Sequence, residues 1–349
     1  MSRTAPGTTP GILAVGATSI LWGTTGTAAT FAPEVSPVAI GAVAMGIGGL
    51  LQAAIAWRSI RRDRPLLRTH AWLMLLGACA VVVYPLAFYS SMHLAGVAIG
   101  TVVSLASAPL ASGLLERILD GRKLGIWWMV AATLGILGGA LLCLAKTAQP
   151  EASALETLAG IGLGLVAGTS YAMYSWVVHR LLEAGVSRGA AMGCVFGTGG
   201  LLLLPVLLAT GAPLLASPGN FAVGAYMALV PMFLGYVLFG IGLTRIRPST
   251  ATTITLSEPA VAALLAVLVV GEQLSSTGWA GLSVLGIALV ILALAPDTPP
   301  APPLARTPNS QESEVLDTTA NSSTTTEVES FSTKSGPNSA RSCSEPQKV

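Results

Sequence analysis

The chain has 349 residues, of which 52% are hydrophobic and only 10% are charged, and its mean hydropathy is +0.71. Soluble domains carry roughly 25% charged residues, so this composition excludes an ordinary soluble protein and indicates an integral membrane protein. The formal net charge is only +2, and the basic residues have an explanation in membrane topology, so no nucleic-acid partner is expected.

Ten apolar stretches follow one another along the chain, each close to the roughly 20 residues that a helix needs to cross a bilayer. Gly and Pro are frequent inside them, which is tolerated where membrane helices pack closely. We therefore predict helical spans. They lie near 11–31, 37–57, 71–91, 94–115, 125–146, 158–178, 190–210, 221–243, 250–270 and 277–295.

The loops between the predicted spans alternate in charge. Cytoplasmic loops accumulate Lys and Arg, and with the N-terminus inside, the external loops hold only Lys146 as a basic residue. We therefore predict a multi-pass protein of the cell (plasma) membrane with cytoplasmic N- and C-termini. The inner loops contain Arg58, Arg61, Arg62, Arg64, Arg68, Arg117, Arg122, Lys123, Arg180, Arg188, Arg245 and Arg247.

An internal repeat divides the hydrophobic part of the chain. A shift of 150 positions aligns residues 97–124 with 247–274, with six identical positions. Each copy would contain five spans, an odd number, so the second copy must cross the membrane in the opposite direction, as in many transporters. The identical pairs are Ser107/Ser257, Pro109/Pro259, Leu114/Leu264, Leu115/Leu265, Gly121/Gly271 and Leu124/Leu274.

The predicted fold class is therefore an all-α integral membrane protein with ten transmembrane helices arranged as two inverted five-helix repeats. The first repeat covers 11–146 and the second 158–296, with an external linker at 147–157. Residues 1–10 form a cytoplasmic N-terminus. Residues 297–349 are rich in Pro, Ser and Thr and poor in large apolar residues, which predicts a disordered cytoplasmic tail.

Three stretches carry a family resemblance: LWGTTGT (21–27), APLASGLL (108–115) and SEPAVAALLAVLVVGEQL (257–274). Together with the span count and the repeat, they make residues 10–296 similar to the EamA-type carriers of the drug/metabolite transporter superfamily. The resemblance implies export of amino acids, small metabolites or drugs and does not specify a substrate. The sequence departs from the family at Arg122, where the first half often has an acid that matches Glu272.

Glu258 is the only charged residue between Thr250 and Val270. A charge at the bilayer centre costs about 2.5–3.5 kcal/mol on insertion scales, so this carboxyl group faces a wet cavity, finds partners or is protonated. Pro259 frees the carbonyl of Thr255 from its helical hydrogen bond, and Pro109 occupies the matched position in the first repeat. Two helix breaks at matched positions predict a transport site. The alternative is that Glu258 only fixes the packing.

Further residues are candidates for the substrate site. Trp22, Tyr84, Tyr174 and Tyr236 are the aromatic residues deep enough to line a cavity, and Thr255 belongs to a hydroxyl cluster near Glu258. Taken alone, each aromatic residue is better explained by packing, and hydroxyl groups also bond their own helix backbone. The histidines lie at span ends and no phosphate-binding loop is present, so no metal or other cofactor is expected.

These observations favour a secondary active transporter that exports a small metabolite, amino acid or drug by alternating access, with Glu258 as the residue for proton coupling. An uptake carrier or an exchanger is the alternative. A channel predicts polar rings, and an intramembrane enzyme predicts a nucleophile with its base; the sequence has neither pattern. The expected partners are a small-molecule substrate, membrane lipid and a proton, and the protein is expected to be a monomer or a homodimer.

Overall fold

The computed structural model describes residues 8–95, 97–144, 154–265, 267–268 and 275–294. The described residues form helices joined by short turns. The helices are α1 (Thr9–Gly23), α2 (Thr25–Ala29), α3 (Pro37–Arg62), α4 (Arg64–Thr69), α5 (Ala71–Ala95), α6 (Val97–Leu119), α7 (Ile126–Leu144), α8 (Ala154–Glu183), α9 (Arg188–Thr210), α10 (Pro218–Met227), α11 (Gly235–Leu243), α12 (Pro248–Ile254), α13 (Glu258–Leu265) and α14 (Ser276–Leu294).

Within the described residues, seven helical stretches are long and apolar enough to cross a membrane. α7 and α14 are apolar and shorter, and coincide with the predicted fifth and tenth spans. The predicted span near 250–270 is divided into α12, a 3-10 turn and α13, and its end lies outside the described residues. The seven long stretches are Thr9–Ala29, Pro37–Arg62, Ala71–Ala95, Gly100–Leu119, Leu155–Glu183, Arg188–Thr210 and Pro218–Leu243.

Several helices extend beyond the apolar stretches that predicted them. α3 continues to Arg62 and α8 to Glu183, whereas the sequence predicted ends near 57 and 178. An apolar stretch marks only the part of a helix that lies in hydrocarbon, and the helix itself continues into the polar interface. The predicted tail at 297–349, Lys146 and Glu272 lie outside the described residues.

Close contact between α3 and α9 organises one side of the bundle. A Cβ atom added at Gly49 would overlap the backbone carbonyl oxygen of Phe196, and one added at Gly200 would lie 2.5 Å from the carbonyl oxygen of Gly46. Small residues of this kind let membrane helices approach until their backbones touch, which maximises van der Waals contact. The glycines of these two spans therefore determine how closely the helices pack.

Three spans are interrupted within their length. α1 gives way to α2 at Thr24, a π-helical segment at Ala228–Leu234 separates α10 from α11, and a 3-10 turn at Thr255–Ser257 separates α12 from α13. The break predicted beside Pro259 coincides with that 3-10 turn. By contrast, α6 continues as one helix through Pro109, because neighbouring helices can support a proline inside a membrane helix; the helix is not divided there.

Candidate functional site

A cluster of buried aromatic side chains lies where the interrupted spans meet. The ring of Trp22 lies 4.9 Å from that of Tyr236, and Phe196 lies 4.3 Å from the same tyrosine. Tyr171 and Tyr174, both on α8, have ring centroids 5.2 Å apart. All five side chains are at most 5% exposed. This aromatic core therefore joins spans from both halves of the chain.

Hydrogen bonds satisfy the polar atoms of the aromatic core. The hydroxyl groups of Tyr174 and Tyr236 are 2.8 Å apart, and the hydroxyl of Tyr171 lies 2.9 Å from that of Thr255. The indole N–H of Trp22 donates to the carbonyl of Pro231 over 3.0 Å. Pro231 lies in the π-helical segment, where altered backbone pairing makes carbonyl groups available. These polar atoms therefore bond to one another or to the backbone.

Glu258 lies at the edge of the aromatic core, at the first position of α13. Its side chain is partly exposed and makes no hydrogen bond or ion pair with any described residue. Tyr171, whose hydroxyl bonds to Thr255 three residues before Glu258, connects this edge to the ring of Tyr84 at 5.7 Å. α13 approaches α1 closely at this point, because a Cβ at Gly23 would lie 3.1 Å from the carbonyl oxygen of Glu258. Gly23 belongs to the LWGTTGT stretch, so that stretch helps to position the carboxylate.

Tyr84 and Tyr89 form the accessible side of the same region. Tyr84 stacks on Phe88 with centroids 5.7 Å apart, and Phe88 meets Tyr89 edge-on at 5.3 Å. All three side chains are partly exposed. Neither tyrosine hydroxyl bonds to a described residue, in contrast to the tyrosines of the aromatic core. Phe88 and Tyr89 were not identified from the sequence, although the run YPLAFY (84–89) is a concentration of aromatics that could have indicated them.

The structure brings all six predicted substrate-site residues into one region. Trp22, Tyr174, Tyr236 and Thr255 belong to the buried, hydrogen-bonded part, whereas Tyr84 and Glu258 are partly exposed. Of the two prolines, Pro259 follows Glu258 directly. Leu105, whose carbonyl lies one turn before Pro109, lines a cavity of about 10 Å³ together with Pro259. The roles of the six substrate-site residues in binding, and that of Glu258 in proton coupling, stay predictions.

Buried polar contacts tie α6 and α7 to α12 at the end of the bundle that carries Arg62, Arg122, Arg180 and Arg247, here called the basic end. Glu116, at the end of α6, is 1% exposed and binds Ser249 at the start of α12, and the indole N–H of Trp128 donates to the carbonyl of Ser249 over 3.1 Å. Thr252 and Thr253, which lie between Ser249 and the aromatic core, are also buried. The chain between Ser249 and Glu258 is therefore mostly buried.

Ion pairs on the same end join the α6–α7 loop to α8. Arg122 and Arg180 both pair with Glu183, and Arg180 also approaches Asp120 at 3.7 Å. The indole N–H of Trp176 donates to Asp120 over 3.1 Å. Arg122 departs from the acid that the family resemblance implies at its position, and here it forms an ion pair between the α6–α7 loop and Glu183 at the end of α8.

Taken together, the fold and this site define a polytopic α-helical membrane protein with a carboxylate and aromatic residues gathered where interrupted helices meet. The chain belongs to the EamA-like transporter family, which matches it twice, over residues 9–144 and 158–294. It is therefore a multi-pass membrane transporter built from two related segments, and the family implies a non-enzymatic function. The resemblance inferred from the sequence is confirmed.

Two relatives of the chain are named as a transporter and as an exporter. The chain is 32% identical over 281 residues to the "uncharacterized transporter YwfM" of Bacillus subtilis, covering 80% of this chain and 92% of the relative. It is 26% identical over 290 residues to a "probable terminal-alkyne amino-acid exporter" of Streptantibioticus cattleyicolor, covering 78% and 92%. One crystal structure superposes with a TM-score of 0.69 at 19% identity, covering 82% of this chain and 97% of the other. That likeness supports the fold alone.

Proposed function

We propose that the protein is a secondary active exporter that moves a small metabolite, of amino-acid or similar size, out of the cell by alternating access. The observation that carries this proposal is the position of Glu258: a partly exposed carboxylate without a described partner, beside an aromatic core that joins the two family segments. The exporter name of the Streptantibioticus relative supports the direction. An uptake carrier or exchanger would use the same site.

The packing of the helices supports an inverted repeat of ten spans. If each span is replaced by the corresponding span of the other half, the contact between α5 and α8 corresponds to the contact between α11 and α1. In the same way, the contact between α6 and α8 corresponds to the contacts of α12 and α13 with α1. The contacts of α3 with α9, of α7 with α14 and of α6 with α12 convert into themselves. A bundle with this exchange symmetry can rock between two equivalent arrangements around a central site.

The charge distribution supports a cytoplasmic position for the basic end. Arg62, Arg122, Arg180 and Arg247 all lie at that end, and the positive-inside rule places such clusters in the cytoplasm. Both termini would then be cytoplasmic and the protein would lie in the plasma membrane. We take the buried contact between Glu116 and Ser249 to close the cytoplasmic side, which would make this arrangement outward-facing.

Glu258 gives the cycle a means of proton coupling. A carboxyl group that is either protonated or bound to substrate exchanges the two ligands, because substrate gains only from the ionised form. Phosphorylated substrates do not suit the site, since no Lys or Arg lies among the described residues of α1, α12 or α13 to neutralise them. A cationic, zwitterionic or neutral solute fits better. A channel is less favoured, since the sequence lacks the rings of polar residues that an open pore predicts.

The proposal is tested by transport in liposomes under an imposed pH gradient, with a panel of labelled amino acids and amines. Glu258→Gln keeps the shape of the side chain and removes its titration, so we expect it to fold and to lose gradient-driven transport. Glu34→Gln makes the same chemical change at an exposed position and should transport normally. If the Glu258 variant responds to the pH gradient as the unmodified protein does, Glu258 is a packing residue.

A further inference from the structure

The polar groups around the aromatic core fall into two sets. Tyr171, Tyr174, Tyr236 and Trp22 have their hydroxyl or N–H groups bonded to other parts of the protein. The carboxylate of Glu258 and the hydroxyl groups of Tyr84 and Tyr89 have no hydrogen-bond partner among the described residues. Buried polar groups are normally satisfied within a protein. Groups left open on an accessible side are therefore the ones available to a ligand.

We propose that Glu258, Tyr84 and Tyr89, with Phe88 between the tyrosines, form a recognition face for an organic ammonium group. The inference deepens the proposed function by naming the chemical class of the substrate, and it rests on that function only for the statement that the ligand is transported. The hydrogen-bonded residues of the aromatic core are then positioning residues that hold this face in place.

The charges around Glu258 favour a cation. α1, α2 and α7 pack against α13, and their described residues contain no Lys, Arg, His, Asp or Glu. No protein cation on these helices therefore neutralises the carboxylate. An ammonium ion would compensate its charge where hydration is limited, and desolvation strengthens such pairing.

The aromatic rings add a second attraction of the same sign. The face of a phenol or phenyl ring attracts a cation within about 6 Å of its centroid. Tyr84 lies 5.7 Å from the ring of Tyr171, whose hydroxyl bonds to Thr255 three residues before Glu258, and Phe88 contacts both Tyr84 and Tyr89. An ammonium group held by the carboxylate would therefore lie beside rings that repel anions and attract cations.

The ring of Tyr89 packs directly against Gly41 on α3. A Cβ atom at Gly41 would lie 2.6 Å from Cδ2 of Tyr89 and 3.3 Å from Cβ of Pro85. Both distances are shorter than ordinary carbon contacts of about 3.5–4.0 Å. The substitution Gly41→Ala must displace the ring of Tyr89, which offers a way to move this ring without removing it.

The proposal is tested by calorimetric binding to the purified full-length protein in lipid nanodiscs at pH 7. The probes share a phenyl ring and differ in charge: phenethylamine is a cation, 3-phenyl-1-propanol is neutral and 3-phenylpropionate is an anion. We expect phenethylamine to bind at least tenfold more tightly than the other two. Equal or tighter binding of the alcohol or the anion would overturn the proposal, as would the absence of measurable phenethylamine binding.

Variants locate the binding face. Glu258→Gln should lose about tenfold in phenethylamine affinity, or roughly 1.4 kcal/mol, and leave the affinity for the alcohol unchanged. Tyr89→Ala and Gly41→Ala should each weaken phenethylamine binding several-fold, whereas Tyr89→Phe, which keeps the ring and removes only the hydroxyl, should weaken it less. Gly162→Ala, at a glycine with nothing within 4 Å of an added Cβ, is the matched control. A Glu258→Gln protein that still prefers the cation refutes the assignment.

Tyr174→Phe separates positioning from contact. It removes a hydroxyl that bonds to Tyr236 inside the core, so thermal stability should fall while the preference for the cation over the anion persists. Loss of that preference in a folded Tyr174→Phe protein would contradict the division into two sets. Binding that depends on Glu258 without any transport in liposomes would leave this site intact and refute the exporter. Transport of only neutral or anionic solutes would support the exporter and refute the ammonium-binding site.

Discussion

The carboxylate of Glu116 accepts hydrogen bonds from both the backbone N–H and the hydroxyl group of Ser249, over 2.8 and 2.9 Å. Glu116 lies in the first family segment and Ser249 in the second, so this contact joins the two segments at the basic end. An acid in the last turn of a helix opposes that helix's dipole. Here it caps the start of α12 instead, where free N–H groups need an acceptor.

Glu116→Ala is expected to lower the stability of the protein. The substitution leaves the buried N–H of Ser249, a residue only 3% exposed, without its acceptor, which costs about 1–3 kcal/mol. Glu116→Gln retains one acceptor oxygen, so its stability should lie between that of Glu116→Ala and that of the unmodified protein. The measurement is the thermal midpoint in detergent, with Glu34→Ala as the control on an exposed carboxylate. Equal midpoints for Glu116→Ala and the unmodified protein would show that the contact contributes nothing.

Gly49→Ala should disrupt the packing of α3 on α9. The added Cβ would overlap the backbone carbonyl of Phe196, and a backbone cannot move aside as a side chain can. Overpacking of this kind costs about 1–3 kcal/mol or more. We expect a lower thermal midpoint and less folded protein in the membrane. Gly162→Ala introduces the same methyl group into open space, so a similar loss in both variants would refute the close-packing explanation.

Asp63→Asn should reduce stability in a pH-dependent way. The carboxylate of Asp63 accepts from the backbone N–H of Ser187 over 2.8 Å and from Arg62 over 3.0 Å. Hydrogen bonding from Ser187, and to a smaller extent from Arg62, lowers the pKa of Asp63 below its usual value. A lowered pKa in the folded state gives a stabilisation that is present above the unfolded pKa of about 3.9. That stabilisation is lost as the pH falls through the folded pKa.

The check is the difference in thermal midpoint between the unmodified protein and Asp63→Asn as a function of pH. The difference should be largest near neutral pH and should shrink once the pH falls below about 4. Glu34→Gln, which changes an exposed carboxylate, should show no such trend. A difference for Asp63→Asn that stays constant down to acid pH would mean that its charge does not contribute.

Membrane orientation is tested with a reporter that is active only in the cytoplasm. Because the basic loops are expected inside, fusions at Pro150 and Pro218 should be inactive and a fusion at the C-terminus should be active. An active fusion at either internal position, or an inactive one at the end of the chain, would contradict the proposed topology.

A chain that ends near Asp297 should insert as well as the full one, because residues 297–349 are poor in large apolar side chains.

Much of the architecture could be predicted from the sequence. The composition requires a membrane protein, because so few charges cannot cover a soluble surface of this size. Apolar stretches located the spans, since each must satisfy its backbone hydrogen bonds as a helix in hydrocarbon. Glu258 was conspicuous because a lone carboxylate in a membrane span is costly and is therefore usually functional. These inferences depend on the solvent, which the sequence reflects directly.

The tertiary structure decided which side of each helix meets which neighbour. In lipid, the outer surface of a helix is as apolar as its packed surface, so hydrophobic periodicity does not distinguish them. Trp22, Tyr84, Tyr174 and Tyr236 therefore looked alike in the sequence, and only packing separated three buried, hydrogen-bonded side chains from one that is partly exposed. The contacts of Tyr89 with Phe88 and Gly41 likewise became visible only in the structure. Glu116 was not identified from the sequence, because the partner of a buried acid is a matter of contact between distant residues.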